Sequence, residues 1–249
     1  MKEWTSLALI LTLRPYGERG AIVSFFTQDY GLKYSFAYGV FSKKNRSLWQ
    51  KGNLVQLHWK THLRSNLGTA SIEVVRNYTA PIYDRALVLA LISSLSVLLN
   101  LSMPEEDPLP NLFSETLDFL ELTASACDLV LLEKYILWEK NLLAYMGFGL
   151  SLSSCILSGR KDNLLYVSPK TGAAVAAGEA EEWKKRLFHL PKIMGGSWQE
   201  LDPLSIEWGL ALTGHFLEKI FIEMRHSELP LERKFLLKTF EEVKDNLSN

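Results

Sequence analysis

The hydrophobic period of this chain changes near Ala80, and that change limits the folds open to it. Before that point apolar and polar residues alternate in short runs; after it, apolar residues recur every three or four positions over much longer stretches. Runs at Trp4–Leu13, Ala21–Gln28, Leu32–Val40, Asn53–Thr61 and Leu67–Arg76 are rich in β-formers, and Pro15, Gly17, Gly20, Gly31, Gly52 and Gly68 punctuate them. In the third run Leu32, Tyr34, Phe36, Tyr38 and Val40 alternate with Lys33, Ser35, Ala37 and Gly39. This is a strand's two-residue period, and the larger set, like Phe25, is expected to face a core. Asp29-Tyr30-Gly31 predicts a hairpin between the second and third strands.

Five short strands laid out as an open sheet would leave two unpaired edges, so closure into a small barrel is expected. An OB-type barrel is the leading candidate, and an SH3-like barrel has similar strand content. Either would be a binding module rather than a catalyst.

From Asp84 the pattern is helical, with helices expected at Asp84–Asn100, Leu112–Ser125, Asp128–Met146, Ala180–Leu187, Ser205–Arg225 and Leu231–Asn246. Asp202 or Ser205 can cap the fifth of these. Trp208, Leu212, Phe216, Ile220 and Met224, four apart, line one face of it as core contacts. Ser151–Gly178 is an irregular insert with a strand at Leu164–Val167 and a turn at Ser168–Gly172. The expected architecture is α+β: a five-stranded OB-type barrel over residues 1–80, then a helical domain over 81–249 carrying the insert 151–178.

Charge follows the same division. The first eighty residues carry eleven Lys and Arg against four Asp and Glu, an excess of +7; the remaining sixteen cations and twenty-four acids give −8, hidden in a total of −1. A cationic barrel beside an acidic helical domain points to a polyanion-binding module. The densest cationic stretch, Phe41–Lys51, holds Lys43, Lys44, Arg46 and Lys51 around Trp49. We expect these, with Lys33, to neutralise phosphates while Trp49 stacks bases. Arg14 stands beside Pro15 at a strand end with Glu18 close by, and both an ion pair and a DNA contact remain open for it.

Other classes are excluded. Ala86–Pro104 is nineteen residues without a charge, but Ser93, Ser94, Ser96, Asn100 and Ser102 suit a buried helix better than a membrane span. The apolar run Leu7–Leu13 is flanked by Glu3 and Arg14 and reads as a strand, not a secretory signal. No phosphate-binding loop, dinucleotide fingerprint, nucleophile elbow or zinc-protease motif occurs, so no enzyme and no cofactor are expected. His58 and His62 would lie about 13 Å apart along a strand, too far to share a metal. Two cysteines, Cys127 and Cys155, suit a reducing cytoplasm and give no disulfide framework.

Several motifs in order resemble the RecO family of DNA recombination and repair proteins. They are Arg14-Pro15-Tyr16-Gly17-Glu18, Phe26-Thr27 with Gly31, Gly39 before the basic loop, Asn141–Leu150 with Cys155 beyond, Tyr166–Gly172, and Leu212–Leu217. The resemblance covers nearly the whole chain. It implies an OB-fold followed by a helical domain, binding of single- and double-stranded DNA, and annealing of complementary strands. It also implies a recombination mediator that joins RecR, and in many bacteria RecF, to load RecA on strands coated with single-stranded DNA-binding protein, whose C-terminal tail it engages. A cytoplasmic, nucleoid-associated protein follows. Many members bind zinc in the insert through two cysteine pairs. Here Cys155 stands alone, with Ser158 three residues on and Ala176-Ala177 at the later position, so the zinc site is incomplete and the insert is expected to rest on Leu164, Tyr166 and Val167. Some members place arginines before the aromatic matched by Trp138; here Ile136 and Leu137 stand there, leaving Lys134 and Lys140 to meet the acidic tail. The rival expectation is a non-catalytic adaptor whose basic barrel binds an acidic protein.

Overall fold

In the computed structural model residues 2–61, 67–197 and 203–245 are described, and the chain forms two compact units, Met1–Ala126 and Cys127–Asn249. The strand-to-helix switch and the division into packing units do not coincide, because the first two long helices pack with the strands.

Strands β1 (Lys2–Tyr16), β2 (Gly20–Thr27), β3 (Gly31–Tyr38), β4 (Leu54–Thr61) and β5 (Gly68–Arg76) close into a barrel in the order β1-β2-β3-β5-β4. All neighbours are antiparallel except β3 and β5, which run parallel and pair only at Ser35–Gly68 and Phe36–Thr69. The interior holds Ala8, Ile10, Val23, Phe25, Val55, Leu57 and Trp59, with Trp49 from the β3–β4 loop. Small residues are placed to let large ones in. The Trp59 indole lies against Gly68, where a Cβ would come within 2.1 Å of the ring. Trp4 stacks on Trp59 at 5.1 Å and on Tyr30 at 4.1 Å.

The alternation of β3 has the expected period and the opposite sense. Ser35 and Ala37 stand opposite the inward-facing Val23 and Ala21, so Leu32, Tyr34, Phe36 and Tyr38 face outward. Beside Phe25, Trp49 and Trp59 the interior has room at these two positions only for small side chains.

Helix α1 (Ala86–Ser102) is buried on nearly every side, as its uncharged sequence requires, and packs on β1 and β2. No described helix is long and apolar enough to cross a membrane. Helix α2 (Pro110–Leu122) sets Phe113 against Phe26 edge to face, ring centroids 5.5 Å apart. Arg85 donates to the carbonyls of Thr123 at 2.7 Å and Ala126 at 3.0 Å, just past the end of α2. Tyr78 donates to Glu121 at 2.6 Å while Arg76 pairs with the same carboxylate at 2.7 Å, tying the end of β5 to α2. Burial, then the neighbouring Glu121 carboxylate, push the Tyr78 phenol well above its usual range.

In the second unit α3 (Asp128–Tyr145), α4 (Pro203–Arg225) and α5 (Leu231–Val243) meet around a buried ion pair. Arg233 of α5, fully enclosed, donates through Nε to Glu139 of α3 at 2.6 Å and through Nη2 to the second carboxylate oxygen and to the Leu210 carbonyl, each at 3.0 Å. Thr213 of α4 donates to the same carboxylate at 2.5 Å. Leu212, Phe216 and Ile220 are buried as expected, whereas Met224 is exposed. Ser205 falls inside the first turn of α4 rather than capping it, and Asp202 lies outside the described residues.

The insert's β6 (Leu164–Val167) and β7 (Ala174–Ala176) form a three-stranded sheet with β8 (Phe188–His189), which lies beyond the insert's expected end, and Leu164, Tyr166 and Val167 are buried. The helix expected at Ala180–Leu187 is absent; a 3₁₀ turn at Lys184–Arg186 stands in its place. Glu181 to Arg186 are all exposed, so no apolar stripe exists to hold a helix against a core.

Replacing Arg233 by alanine leaves a buried carboxylate unpaired and is expected to cost about 3–5 kcal/mol, measured by chemical denaturation of the helical unit's transition.

Candidate nucleic-acid interface

The outer surface of β1-β2-β3 is divided in two. At one end Leu9, Phe26 and Leu32 point away from the interior and are covered by helices and by the segment around Glu105, which bridges Leu32. The other end is open and carries Arg14, Tyr16, Ile22, Phe36 and Tyr38.

A β-bulge puts Arg14 there. Pairing of β1 with β2 slips between Ile10 and Thr12, so Trp4, Ala8 and Ile10 face inward before the bulge and Leu13 does after it. With an unbroken register Arg14 and Tyr16 would point into the interior; the extra residue turns both outward. Thr12 marks the shift, its hydroxyl and backbone N–H meeting the Ser24 hydroxyl at 2.6 and 3.1 Å. Arg14 makes no ion pair among the described residues, so the link to Glu18 is not formed.

Cross-strand registration makes one outer row: Arg14 opposite Ile22, Ile22 opposite Phe36, Phe36 opposite Thr69 and Thr69 opposite Lys60. Phe36 lies across Gly20, where a Cβ would approach within 2.2 Å of the ring, and meets Tyr16 and Tyr38 edge to face at 6.0 and 4.5 Å. Tyr16 and Tyr38 are largely exposed, Tyr38 at 70%. Past the short β3–β5 ladder a groove of about 360 Å³ opens beside Tyr38, with Asn45 and Leu48 of the β3–β4 loop on one wall and Lys60 and Ser71 on the other. Lys43, Lys44 and Arg46 flank Asn45 and are exposed.

Three expected contacts fall elsewhere. Trp49 is only 9% exposed and packs edge to face on Phe25, 6.3 Å between centroids, so it forms the groove's floor and offers no free face for stacking. Lys33 points inward opposite Phe25; its side chain is 12% exposed, pairs with Glu106 at 2.5 Å and lies 5.3 Å from the Trp59 ring. That pair holds the Glu106 carboxyl below its usual range. Lys51 is half-buried, its ammonium 3.5 Å from the Ser93 hydroxyl. Arg64 lies outside the described residues.

Sequence reasoning did not single out Tyr16, Arg19 or Lys60 for this face, and it assigned Phe36 and Tyr38 to the core. Arg19 is exposed in the β1–β2 turn, its carbonyl accepting from the Gly39 N–H at 2.7 Å. The available signal was the proximity of Tyr16 and Tyr38 to glycines at strand ends, where a side chain is less often enclosed.

In the helical unit Lys134 and Lys140 both lie on α3, but six positions separate them, about 120° around a helix, so they share no face. A second concavity of about 190 Å³ is lined by Phe148, Leu150, Phe216 and Ile220 together with Lys170, Lys219 and Glu223, and the Lys219 ammonium donates to the Lys170 backbone carbonyl at 3.4 Å.

The insert does not fit a metal. The buried Cys155 thiol accepts from the Ala176 N–H at 3.3 Å, and no cluster of three His, Cys, Asp or Glu suitable for an ion occurs among the described residues. Burial raises the thiol's pKa, but hydrogen bonds from the Ser158 side chain and from backbone N–H groups outweigh it and hold the thiol below its ordinary value. The Cys155 sulfur is thus satisfied by hydrogen bonds from within the insert.

A closed barrel of this strand order defines an OB-type domain, and its outer face is open, aromatic and cationic. The N-terminal model of recombination protein O matches residues 1–78 and its C-terminal model residues 85–220. The DNA repair protein RecO of Gluconacetobacter diazotrophicus is 37% identical over 237 residues, covering 93% of this chain and 92% of that one. Those of Rhodospirillum centenum and Granulibacter bethesdensis are 36% and 34% identical, covering 93% and 94% of this chain and 92% and 94% of their own. The chain belongs to the RecO family, and its role lies in DNA repair and recombination.

Lys33→Ala is expected to lower Tm and leave the salt dependence of DNA affinity unchanged, read by thermal melting beside an anisotropy titration. Adding a strong chelator is expected to leave Tm unchanged, with no stoichiometric zinc by elemental mass spectrometry.

Proposed function

We propose that this chain is a non-catalytic recombination mediator that binds single- and double-stranded DNA through its barrel and anneals complementary strands. The observation that carries the reading is the cross-strand row from Arg14 to Lys60, which joins the exposed aromatics Tyr16 and Tyr38 to the groove bordered by the Lys43–Arg46 loop. Exposed cations neutralise phosphates and release counterions, while aromatic faces accept bases without regard to sequence. Two strands held on such a surface repel each other less, and base pairing supplies the drive to product.

The rest follows from kinship with RecO. The mediator acts in the cytoplasm at the nucleoid, with a RecR-like partner and RecF, to help place RecA on strands coated with single-stranded DNA-binding protein. That protein's acidic tail is assigned to the helical unit. There the cleft beside Lys170 and Lys219 combines apolar lining with two cations against one acid, Glu223, whereas Lys134 and Lys140 stand on separate faces of α3.

Alanine at Lys43, Lys44 and Arg46 together is expected to weaken single-strand binding and flatten the slope of log K against log salt by about 0.7 per lost contact, about 2 in all. The wild type is expected to speed annealing of complementary oligonucleotides, and the triple variant to do so poorly. A wild-type chain that ignores oligonucleotides at physiological salt and binds an acidic protein instead would establish the adaptor reading.

A further inference from the structure

We propose that the groove between β3 and β5 is a pocket for one unstacked nucleobase of a bound single strand, an inference that rests on the DNA-binding reading above. A track of phosphates needs only a cationic surface, and Lys43, Lys44 and Arg46 on an exposed loop already supply one. The groove is built differently. Its volume of about 360 Å³ falls in the range of small-ligand pockets, roughly 300–1,000 Å³. Its floor is the enclosed edge of Trp49 and its walls include Leu48 and the exposed ring of Tyr38, an apolar, aromatic lining suited to the face of a base.

The polar groups at its rim suit the edge of a base. The Asn45 amide nitrogen donates to the Gly39 carbonyl at 3.1 Å, which both fixes the side chain and leaves its carbonyl oxygen as an acceptor. The side chains of Lys60, Thr69 and Ser71 make no hydrogen bond or ion pair among the described residues and line the same opening. A base seated on Tyr38 can meet the Ser71 hydroxyl and the Asn45 carbonyl while Lys60 takes an adjoining phosphate. With the Thr69 and Ser71 hydroxyls, which both donate and accept, and the Asn45 carbonyl as an acceptor, the pocket discriminates weakly among bases.

A base can enter only when unpaired and unstacked from its neighbours, so the pocket favours single strands over duplex. It also links annealing to release, because the seated base must leave the pocket before it can pair. The cationic loop then keeps its hold on the phosphates while the pocket lets go of the base.

The test compares a thymidine oligonucleotide, an oligomer of equal length and charge with abasic positions, and a duplex, titrated into the full chain by fluorescence anisotropy. Tyr38→Ala is expected to weaken single-strand binding about five- to a hundredfold, leave duplex affinity within twofold and leave the salt slope unchanged, while Tyr38→Phe retains wild-type affinity. Abasic strands are expected to bind the wild type as weakly as intact strands bind Tyr38→Ala. Equal affinity of wild type and Tyr38→Ala for the intact strand overturns the pocket, as does equal loss for strand and duplex. Failure of the wild type to bind any of the three overturns the DNA-binding reading itself. Tyr38 is 70% exposed, so its removal disturbs little packing, and an unchanged Tm verifies this.

Discussion

Strand β1 must serve two partners. Its first half pairs with β4 from Lys2 to Leu9, its second with β2 from Ala8 to Tyr16, and the barrel closes only because one strand spans both ladders. Fifteen residues cannot follow that curve as a regular strand, and the bulge between Ile10 and Thr12 lets β1 bend. The same extra residue reverses which side chains face in. Interior packing and the outward aim of Arg14 and Tyr16 therefore share one cause. A change made to improve the core of β1 by restoring its regular alternation would turn the cation and the ring inward together.

Much of this fold can be read from residue patterns, and the limits have physical causes. The five strands, the hairpin at Asp29–Gly31, the long helices and the insert's β6–β7 pair follow from period and punctuation. Period alone does not say which face is inside. On β3 it separates Phe36 and Tyr38 from Ser35 and Ala37, but only the bulk contributed by Phe25, Trp49 and Trp59 decides that the small set goes in. The bulge leaves no mark in composition. Charge counting found the Lys43–Arg46 loop because exposed cations follow one another there. It overcounted Lys33, whose partner Glu106 is seventy-three residues away in sequence. Trp49 looked like a platform because its neighbours are basic, yet an indole in a loop that plugs a barrel is drawn into the core.

The helical unit shows a different economy. Its acids outnumber its cations, and one of each is spent on the enclosed Glu139–Arg233 pair, reinforced by Thr213 and the Leu210 carbonyl. Such a pair costs desolvation and returns geometry, fixing the rotation of α3, α4 and α5 about one point. The insert follows an opposite route, with a lone thiol satisfied by backbone N–H groups and a small sheet packed through Leu164, Tyr166 and Val167.

Gly20 has a bearing on how this surface can vary. Phe36 rests on a backbone that has no side chain, and Tyr16 and Tyr38 are braced against that ring. Any larger residue at this position would lift the ring and splay its two neighbours, although Gly20 itself presents nothing to a ligand. The most restrictive position on the aromatic face is thus its most inconspicuous one, and variation there should reshape the surface without changing a single charge or ring.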